Sequence, residues 1–292
     1  MMHKTGIFDI GNGFHYGMHA LGEAKGVIFA NCREGLETWY DRGIRVFEVD
    51  VNSADDGEYV ACHSFNKEGL EEQGITNVPE FCTSEWYLSQ KLYKDNSSGL
   101  TPISLKEILD FIGDKGDAVL MIDFKRTDFE STVGIWSYLN QFVNNGIIFG
   151  EQIVFEIYDQ NMLAATKTIK SDIRLVFNIE DDIEVGDSYK IRCMPLNQII
   201  DWMNSNYIHI VSFPWKKAVE NLPKLKSLKD AGFTIISRTR NDIFSDLLER
   251  CGINVNLVSY RCTMEQKQFL SNYRCEYIKK FEKKISLAFR NC

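Results

Sequence analysis

The chain has 292 residues, of which 44% are hydrophobic and 25% are charged, and its net charge is −8. This composition is typical of a globular protein and excludes a disordered chain, a collagen and a coiled coil. Nucleic-acid-binding modules usually have the opposite charge balance, so we expect no nucleic-acid partner. The sequence contains no run of ~18 apolar residues, so we expect no transmembrane helix.

Cellular location is predicted from the termini and the cysteines. The N-terminal residues lack the apolar core of a signal peptide. The eight cysteines are scattered, without the spacing of a zinc site, so we expect reduced thiols in a cytoplasmic protein. Residues 261–292 carry eight Lys and Arg against three Glu, which predicts a basic C-terminal helix at about 262–292. This tail can make a peripheral membrane contact, although a solvated surface helix is the simpler interpretation.

Short apolar segments alternate with amphipathic ones along the chain. Strands are predicted at 14–19, 45–51, 119–124, 153–157, 173–179, 207–211, 233–238 and 255–259. Helices are predicted at 33–42, 104–113, 129–143, 160–169, 195–204, 216–230, 242–250 and 264–289, with a capping-box pattern at Ser104 and Glu107. Strands joined by helical crossovers form a parallel sheet. Eight such units predict a (β/α)8 TIM barrel, although an open doubly wound sheet would show the same alternation.

Residues 64–100 interrupt this alternation. The segment is mostly polar, with interspersed aromatic residues such as Trp86, Tyr87 and Tyr93, and it follows a short extended piece at 59–63. Long loops inside compact domains are usually functional or mobile. We therefore predict one barrel domain over residues 1–292, with a loop excursion at about 64–100 that covers one end of the barrel.

Two carboxylates lie on the same predicted strand. Glu48 and Asp50 are two residues apart, so both side chains project from one face, among apolar neighbours. Adjacent buried carboxylates are costly unless a positive charge pairs with them. A divalent cation with oxygen ligands would provide that charge. A salt-bridged pair at a strand end explains the pattern equally well.

The next main strand ends with a third carboxylate. Asp123 closes an apolar strand, and Lys125 follows two residues later on the same face. Charged residues at the carboxyl ends of barrel strands are typically catalytic. Glu48, Asp50 and Asp123 can therefore form one site for Mg²⁺ or Ca²⁺, because softer metals prefer Cys or His. Lys125 is suited to a phosphate group, or it forms a simple ion pair.

Two histidines end extended segments beside these carboxylates. His19 and His63 can act as a general acid and a general base in phosphodiester cleavage, beside a cation that offsets the charge on the phosphate. His15 is the alternative to His19, which we prefer because His19 fits a His-x-x-Gly turn. His209 falls inside a predicted strand and is expected to be a core histidine.

The segment from His19 to Phe65 resembles the glycerophosphodiester phosphodiesterase family. The family's pattern is a His-containing turn, an Asn-bearing loop, a Glu-x-Asp strand, an Asp-Gly hairpin and a second His. In chain order these are His19, Asn31, Glu48, Asp50, Asp56–Gly57 and His63. The segment IDFK (122–125) resembles the family's acidic-x-Lys strand, and FEIYDQNML (155–163) and SRTRND (237–242) resemble weaker late motifs.

The resemblance implies a barrel of the phospholipase-C-like phosphodiesterase type and a role in lipid metabolism. His19 and His63 would be the general acid/base pair. Glu48, Asp50 and Asp123 would hold one divalent cation, Mg²⁺ or Ca²⁺. Lys125 would contact the phosphate of the substrate, a small-molecule or lipid-derived phosphodiester such as a glycerophosphodiester.

Two departures from the family's pattern leave the substrate and the reaction open. Ala20 stands where the family usually has an Arg that helps to bind phosphate, and Asp123 stands where a Glu is frequent. Asp-x-Lys also resembles the sphingomyelinase-D-like branch, and a sphingomyelinase-D-like or lysophospholipase-D-like enzyme would form a cyclic phosphate. That branch's disulfide-bonded loop is not evident after His63. Similar departures occur in bacterial relatives associated with surface-polysaccharide genes. A different metal-assisted hydrolase, or an inactive barrel that acts as a binding protein, would also fit these residues.

Overall fold

A closed ring of parallel strands forms the centre of the molecule. The computed structural model describes residues 15–93, 99–178, 196–214, 222–241, 248–249 and 253–260. Within them the strands are β1 (His15–Met18), β2 (Val46–Ser53), β3 (Tyr59–Ala61), β4 (Val119–Phe124), β5 (Ile153–Ile157), β6 (Arg174–Asn178), β7 (Ile210–Pro214), β8 (Thr234–Asn241) and β9 (Val255–Tyr260). All except β3 are parallel, and β1 pairs with both β2 and β9. This closure confirms the predicted (β/α)8 barrel and excludes the open sheet.

Helices connect most of these strands. They are α1 (Arg33–Asp41), α2 (Lys67–Glu72), α3 (Ser84–Leu88), α4 (Leu105–Lys115), α5 (Phe129–Asn144), α6 (Gln160–Thr166), α7 (Leu196–Ser205) and α8 (Leu222–Asp230). The capping box predicted at the start of α4 is present: the Ser104 hydroxyl accepts from the Glu107 amide, and the Glu107 carboxylate accepts from the Ser104 amide. Most of the predicted helix at 242–250, and the whole basic tail at 262–292, lie outside the described residues.

The inside of the barrel changes from apolar to polar along the strands. Side chains alternate between the two faces of a strand, so every second residue points inward. An apolar cluster that is separate from the main core consists of Val46, Val119, Met121, Val154, Val176, Ile210, Ile236, Val255 and Leu257. Two residues further along four of these strands lie Glu48, Glu156, Ser212 and Arg238. Polar side chains therefore gather toward the carboxyl ends of the strands, where barrel enzymes have their active sites.

Strand β7 begins three residues later than predicted. The Ile208 amide donates to the carbonyl of Met203, and Tyr207 has a positive φ of 58°, so residues 206–208 form the C-terminal turn of α7. His209 is consequently exposed just before β7. The prediction of a core histidine at this position is wrong.

Residues 64–93 are more ordered than their polar composition indicated. Helix α2 is capped by Asn66 and α3 by Thr83. Leu70, Ile75 and Tyr87 join a second apolar cluster, separate from the main core. This segment packs against residues 24–32 and the β2–β3 hairpin through that cluster.

Three cysteines among the described residues, Cys32, Cys62 and Cys82, are buried free thiols. None of the helices in the described ranges is both long enough and apolar enough to cross a membrane.

Candidate active site

Three buried carboxylates meet at the carboxyl end of the barrel. Glu48 and Asp50 project inward from β2, and Asp123 lies directly opposite Asp50 on β4. Each side chain contributes one oxygen to a group whose members all lie within 4.8 Å of one another. The three residues are at most 2% exposed. The structure thus brings together the three carboxylates that the sequence singled out as metal ligands.

Lys125 lies against two of these carboxylates. Its ammonium nitrogen is 2.5 Å from Asp50 Oδ1 and 2.7 Å from Asp123 Oδ2. Burial raises the pKa of Asp50, but the positive charge of Lys125, the neighbouring His19 and the hydrogen bonds from Lys125 and Asn31 together outweigh it and lower the pKa to about 2. Burial by itself would lower the pKa of Lys125, but the negative charges of Asp50 and Asp123 raise it above its usual value. Lys125 is therefore charged and in place at the cluster.

Glu48 is less well compensated than the other two carboxylates. Its Oε2 accepts a hydrogen bond of 2.6 Å from the Ala20 amide, whereas its buried Oε1 has no hydrogen-bond partner among the described residues. Burial and the negative charges of Asp50 and Asp123 raise the pKa of Glu48 well above its usual value. An unpartnered carboxylate oxygen in an all-carboxylate donor set fits a hard divalent cation.

A second ion pair adjoins the cluster. Glu156, which is fully buried at the end of β5, accepts from Arg238 Nη2 at 2.5 Å. Arg238 Nη1 lies 3.8 Å from Asp123 Oδ2. Together with the three carboxylates of the cluster, Glu156 gives four acidic side chains against the two basic ones, Lys125 and Arg238. A divalent cation would bring this group to neutrality.

The turn after β1 holds His19 beside Glu48. Residues His19–Leu21 form a tight turn closed by a hydrogen bond of 2.9 Å from the Gly22 amide to the His19 carbonyl, and Ala20 and Leu21 have positive φ angles of 51° and 58°. The Ala20 amide binds Glu48, and the Ala20 carbonyl accepts from the Asn31 amide at 3.0 Å. The turn is therefore fixed both to the carboxylate cluster and to the loop before α1.

Helix α1 approaches this turn closely because it contains Gly35. A Cβ atom at this position would lie 2.7 Å from the backbone oxygen of Leu21. The absence of a side chain at position 35 thus lets the helix pack directly beneath the turn that carries His19.

Both predicted catalytic histidines line one cavity of about 710 Å³. His19 Nε2 is 3.6 Å from Glu48 Oε2, and its ring makes an edge contact with Phe29. Burial lowers the pKa of His19 to about 4; Asp50 opposes this shift, and Arg238 and Lys125 reinforce it. His63 is exposed and its Nδ1 is 3.1 Å from Ser64 Oγ.

The same cavity extends to the carboxylate cluster and to residues 64–93. Asp50, Asp123 and Lys125 line it, together with Gln73 and Tyr93 from beyond the β2–β3 hairpin. His15, the alternative to His19, begins β1 and so lies at the opposite end of that strand from the cavity.

Four residues near the cluster were not predicted as site residues: Asn31, Glu156, Tyr158 and Arg238. Asn31 Nδ2 donates to Asp50 Oδ2 at 2.7 Å, and Tyr158 donates to Asp123 Oδ1 at 2.6 Å. Their signals were present in the sequence, because Asn31 belongs to the family pattern and the others fall in its two late motifs. Inward alternation from Val154 and Ile236 also places Glu156 and Arg238 inside the barrel.

Comparison with known proteins gives matches in structure only. No family model matches the chain, and no curated protein matches it in sequence. A candidate glycerophosphoryl diester phosphodiesterase from Silicibacter pomeroyi matches with a TM-score of 0.67 at 14% identity, over 85% of this chain and 90% of that one. A glycerophosphoryl diester phosphodiesterase from Parabacteroides distasonis matches with a TM-score of 0.64 at 14% identity, over 87% and 85%. An Oleispira antarctica phosphodiesterase, in complex with the product sn-glycerol-3-phosphate, matches with a TM-score of 0.64 at 13% identity, over 88% and 95%.

The chain has the fold of the glycerophosphodiester phosphodiesterases. This finding confirms the resemblance seen in residues 19–65 at the level of the fold and extends it over most of the chain. At 13–14% identity the glycerophosphodiester phosphodiesterase likeness is one of fold, so the reaction must be inferred from the side chains of the site.

Proposed function

We propose that this protein is a metal-dependent phosphodiesterase that cleaves a glycerophosphodiester or a related phosphodiester. Glu48, Asp50 and Asp123 hold one divalent cation, Mg²⁺ or Ca²⁺, and His19 and His63 form the general acid/base pair. Lys125 contacts the phosphate group of the substrate. The observation that carries this proposal is one cavity that is lined by both histidines and by Asp50 and Asp123, two of the three converging buried carboxylates, at the carboxyl end of the barrel.

The two histidines move the protons of the proposed reaction. One imidazole accepts the proton of the attacking water or substrate hydroxyl, and the other donates a proton to the leaving alcohol oxygen. Because burial lowers its pKa to about 4, His19 is neutral at pH 7, which is the protonation state of a general base before the reaction. A bound divalent cation would offset negative charge on the phosphate oxygens.

Lys125 and the walls of the cavity orient the substrate. The charged ammonium of Lys125 lies at the carboxylate cluster, where the phosphate would be bound, and it adds a positive charge on that side. Residues 64–93 contribute Gln73 and Tyr93 to the wall, so this insertion contacts the alcohol group. A lipid-derived substrate would be consistent with peripheral membrane contact through the basic tail of a cytoplasmic, single-domain protein.

Product analysis on a substrate panel tests the proposal. The purified protein is incubated with glycerophosphodiesters and lysophospholipids, with Mg²⁺, with Ca²⁺ or with a chelator, and phosphorus NMR identifies the product. Cation-dependent release of a phosphomonoester supports the proposed hydrolysis. A cyclic phosphate instead indicates a sphingomyelinase-D-like or lysophospholipase-D-like enzyme. Cation binding without turnover of any diester supports the metal site but excludes these substrates. If the protein shows neither cation binding nor turnover, the result indicates an inactive binding protein.

A further inference from the structure

We infer that Arg238 binds the phosphate group of the substrate and that Glu156 holds its guanidinium in position. This inference rests on the proposed phosphodiesterase function and adds a residue to it. Arg238 lies on β8, lines the cavity that contains both histidines, and retains 11% exposure of its side chain.

Arg238 approaches the cavity from the side opposite Lys125. The strand order places β8 four strands from β4 in the eight-membered ring, which is half the circumference. Lys125 follows β4 directly. From these opposite strands Lys125 Nζ and Arg238 Nη1 both come within 3.8 Å of Asp123 Oδ2, so a phosphate bound beside this carboxylate would have two positive charges near its non-bridging oxygens.

Lys125 and Arg238 differ in how closely carboxylates surround the charged nitrogen that faces the carboxylate cluster. Lys125 Nζ is within hydrogen-bonding distance of Asp50 and Asp123, which offset its charge. Arg238 Nη1 is 3.8 Å from Asp123 Oδ2, which is beyond hydrogen-bonding distance. The Arg238 guanidinium is thus close enough to the cluster to act on a bound phosphate, without a direct hydrogen bond to Asp123.

The other end of the guanidinium is fixed. Nη2 is 2.5 Å from the fully buried Glu156 carboxylate and 3.3 Å from the Ser212 hydroxyl. Arginine presents several donors in a rigid planar fork that matches phosphate oxygens. The contacts of Nη2 with Glu156 and Ser212 keep that fork at a constant angle, so Glu156 is a positioning residue.

An ion pair that served stability alone is a weak explanation for this arrangement. Burying two charges inside a barrel is costly, and apolar residues of similar size are often as stable or more stable. Elsewhere the inner layer of this barrel is filled by residues such as Val154 and Ile236, two positions before Glu156 and Arg238. A negatively charged ligand bound in the cavity would account for the charged pair of Glu156 and Arg238 at this position.

Calorimetric titration with inorganic phosphate, in the presence of Mg²⁺, tests this inference in the full chain. We expect Arg238→Met to weaken phosphate binding at least ~10-fold and Arg238→Lys to weaken it less, since Lys keeps the charge but not the fork. Mg²⁺ affinity, measured separately, should not fall in either variant, because a positive charge beside Asp123 opposes cation binding. Lys106→Met is the matched control, because it removes an exposed positive charge on α4.

Unchanged phosphate affinity in Arg238→Met overturns the inference, and so does a parallel loss of Mg²⁺ affinity, which would mean that Arg238 acts only on Asp123. If Arg238→Met does not fold, Arg238→Lys decides, and phosphate affinity equal to that of the wild type counts against the inference. Failure of the proposed function is distinguishable, because the wild-type protein would then neither cleave any phosphodiester nor bind phosphate.

Discussion

Asn31 and Asp50 are joined by two hydrogen bonds that run in opposite directions. Asn31 Nδ2 donates to Asp50 Oδ2 at 2.7 Å, and the Asp50 amide donates to Asn31 Oδ1 at 3.2 Å. Asn31 has a positive φ of 43°, a conformation that Asn tolerates better than most residues. The pair fixes the orientation of a predicted metal ligand.

Asn31→Ala should therefore weaken metal binding. Residues that orient metal ligands typically contribute ~10–100-fold in affinity, and we expect a loss in this range by calorimetric titration with Mg²⁺ or Ca²⁺. Asn77→Ala is the matched control, because Asn77 also has a positive φ, of 59°, but is exposed in the insertion. Equal metal affinity in the two variants would contradict this role for Asn31.

Glu48→Gln should separate the stability of the metal-free protein from its response to metal. Glu48 is buried among negative charges that raise its pKa, so its neutral isostere should leave the metal-free thermal midpoint unchanged or higher. Metal at ~100 times its Kd stabilises a protein by ~2.7 kcal/mol, and we expect this increase to be lost in the variant.

Thermal unfolding with and without Mg²⁺ or Ca²⁺ measures both effects. Glu37→Gln, on the exposed face of α1, removes the same charge away from the site and should respond to metal like the wild type. A full metal-induced shift in Glu48→Gln would exclude Glu48 as a ligand.

Tyr158→Phe tests the support of the third carboxylate. The Tyr158 hydroxyl donates to Asp123 Oδ1 at 2.6 Å, and Phe keeps the ring but loses this hydrogen bond. We expect ~10-fold weaker metal binding with an intact fold, as judged by circular dichroism. The control is Tyr138→Phe, whose ring packs against Tyr59 and Phe142 away from the cluster. Similar metal affinity in both variants would refute this contribution.

Gly35→Ala should disturb the turn that carries His19. The added Cβ would lie 2.7 Å from the Leu21 carbonyl oxygen, so α1 or the turn must move. Overpacking of this kind typically costs ~1–3 kcal/mol, which urea denaturation measures. Glu37→Ala, in the same helix but exposed, should change stability little. A Gly35→Ala variant as stable as the wild type would show that the two elements do not need their close approach.

The predicted strand bounds are correct for some strands and wrong for others. Strands β4 and β5 have the predicted bounds, because continuous apolar runs mark strands buried on both faces. Strand β7 was misplaced because apolar residues in the C-terminal turn of α7, such as Ile208, look like the start of a strand. Helices α2 and α3 are too short for their periodicity to be recognised.

The candidate site was predictable where its residues are adjacent in sequence. Glu48 and Asp50 share a strand face, and Asp123 and Lys125 share another, so period-two alternation was sufficient. The pairing of Glu156 with Arg238 joins residues 82 positions apart. Which inward residues meet across a barrel depends on strand register, which one sequence does not provide.

The most direct test of the central claim compares the wild type with His19→Ala and His63→Ala. Each variant is assayed for Mg²⁺ or Ca²⁺ affinity by calorimetry and for cation-dependent release of phosphate products from the best substrate of the panel. General acid/base catalysis by the pair predicts that both variants bind the cation like the wild type and lose at least ~100-fold in turnover. Wild-type turnover in either variant would contradict the assignment of that histidine and the mechanism proposed for this cavity.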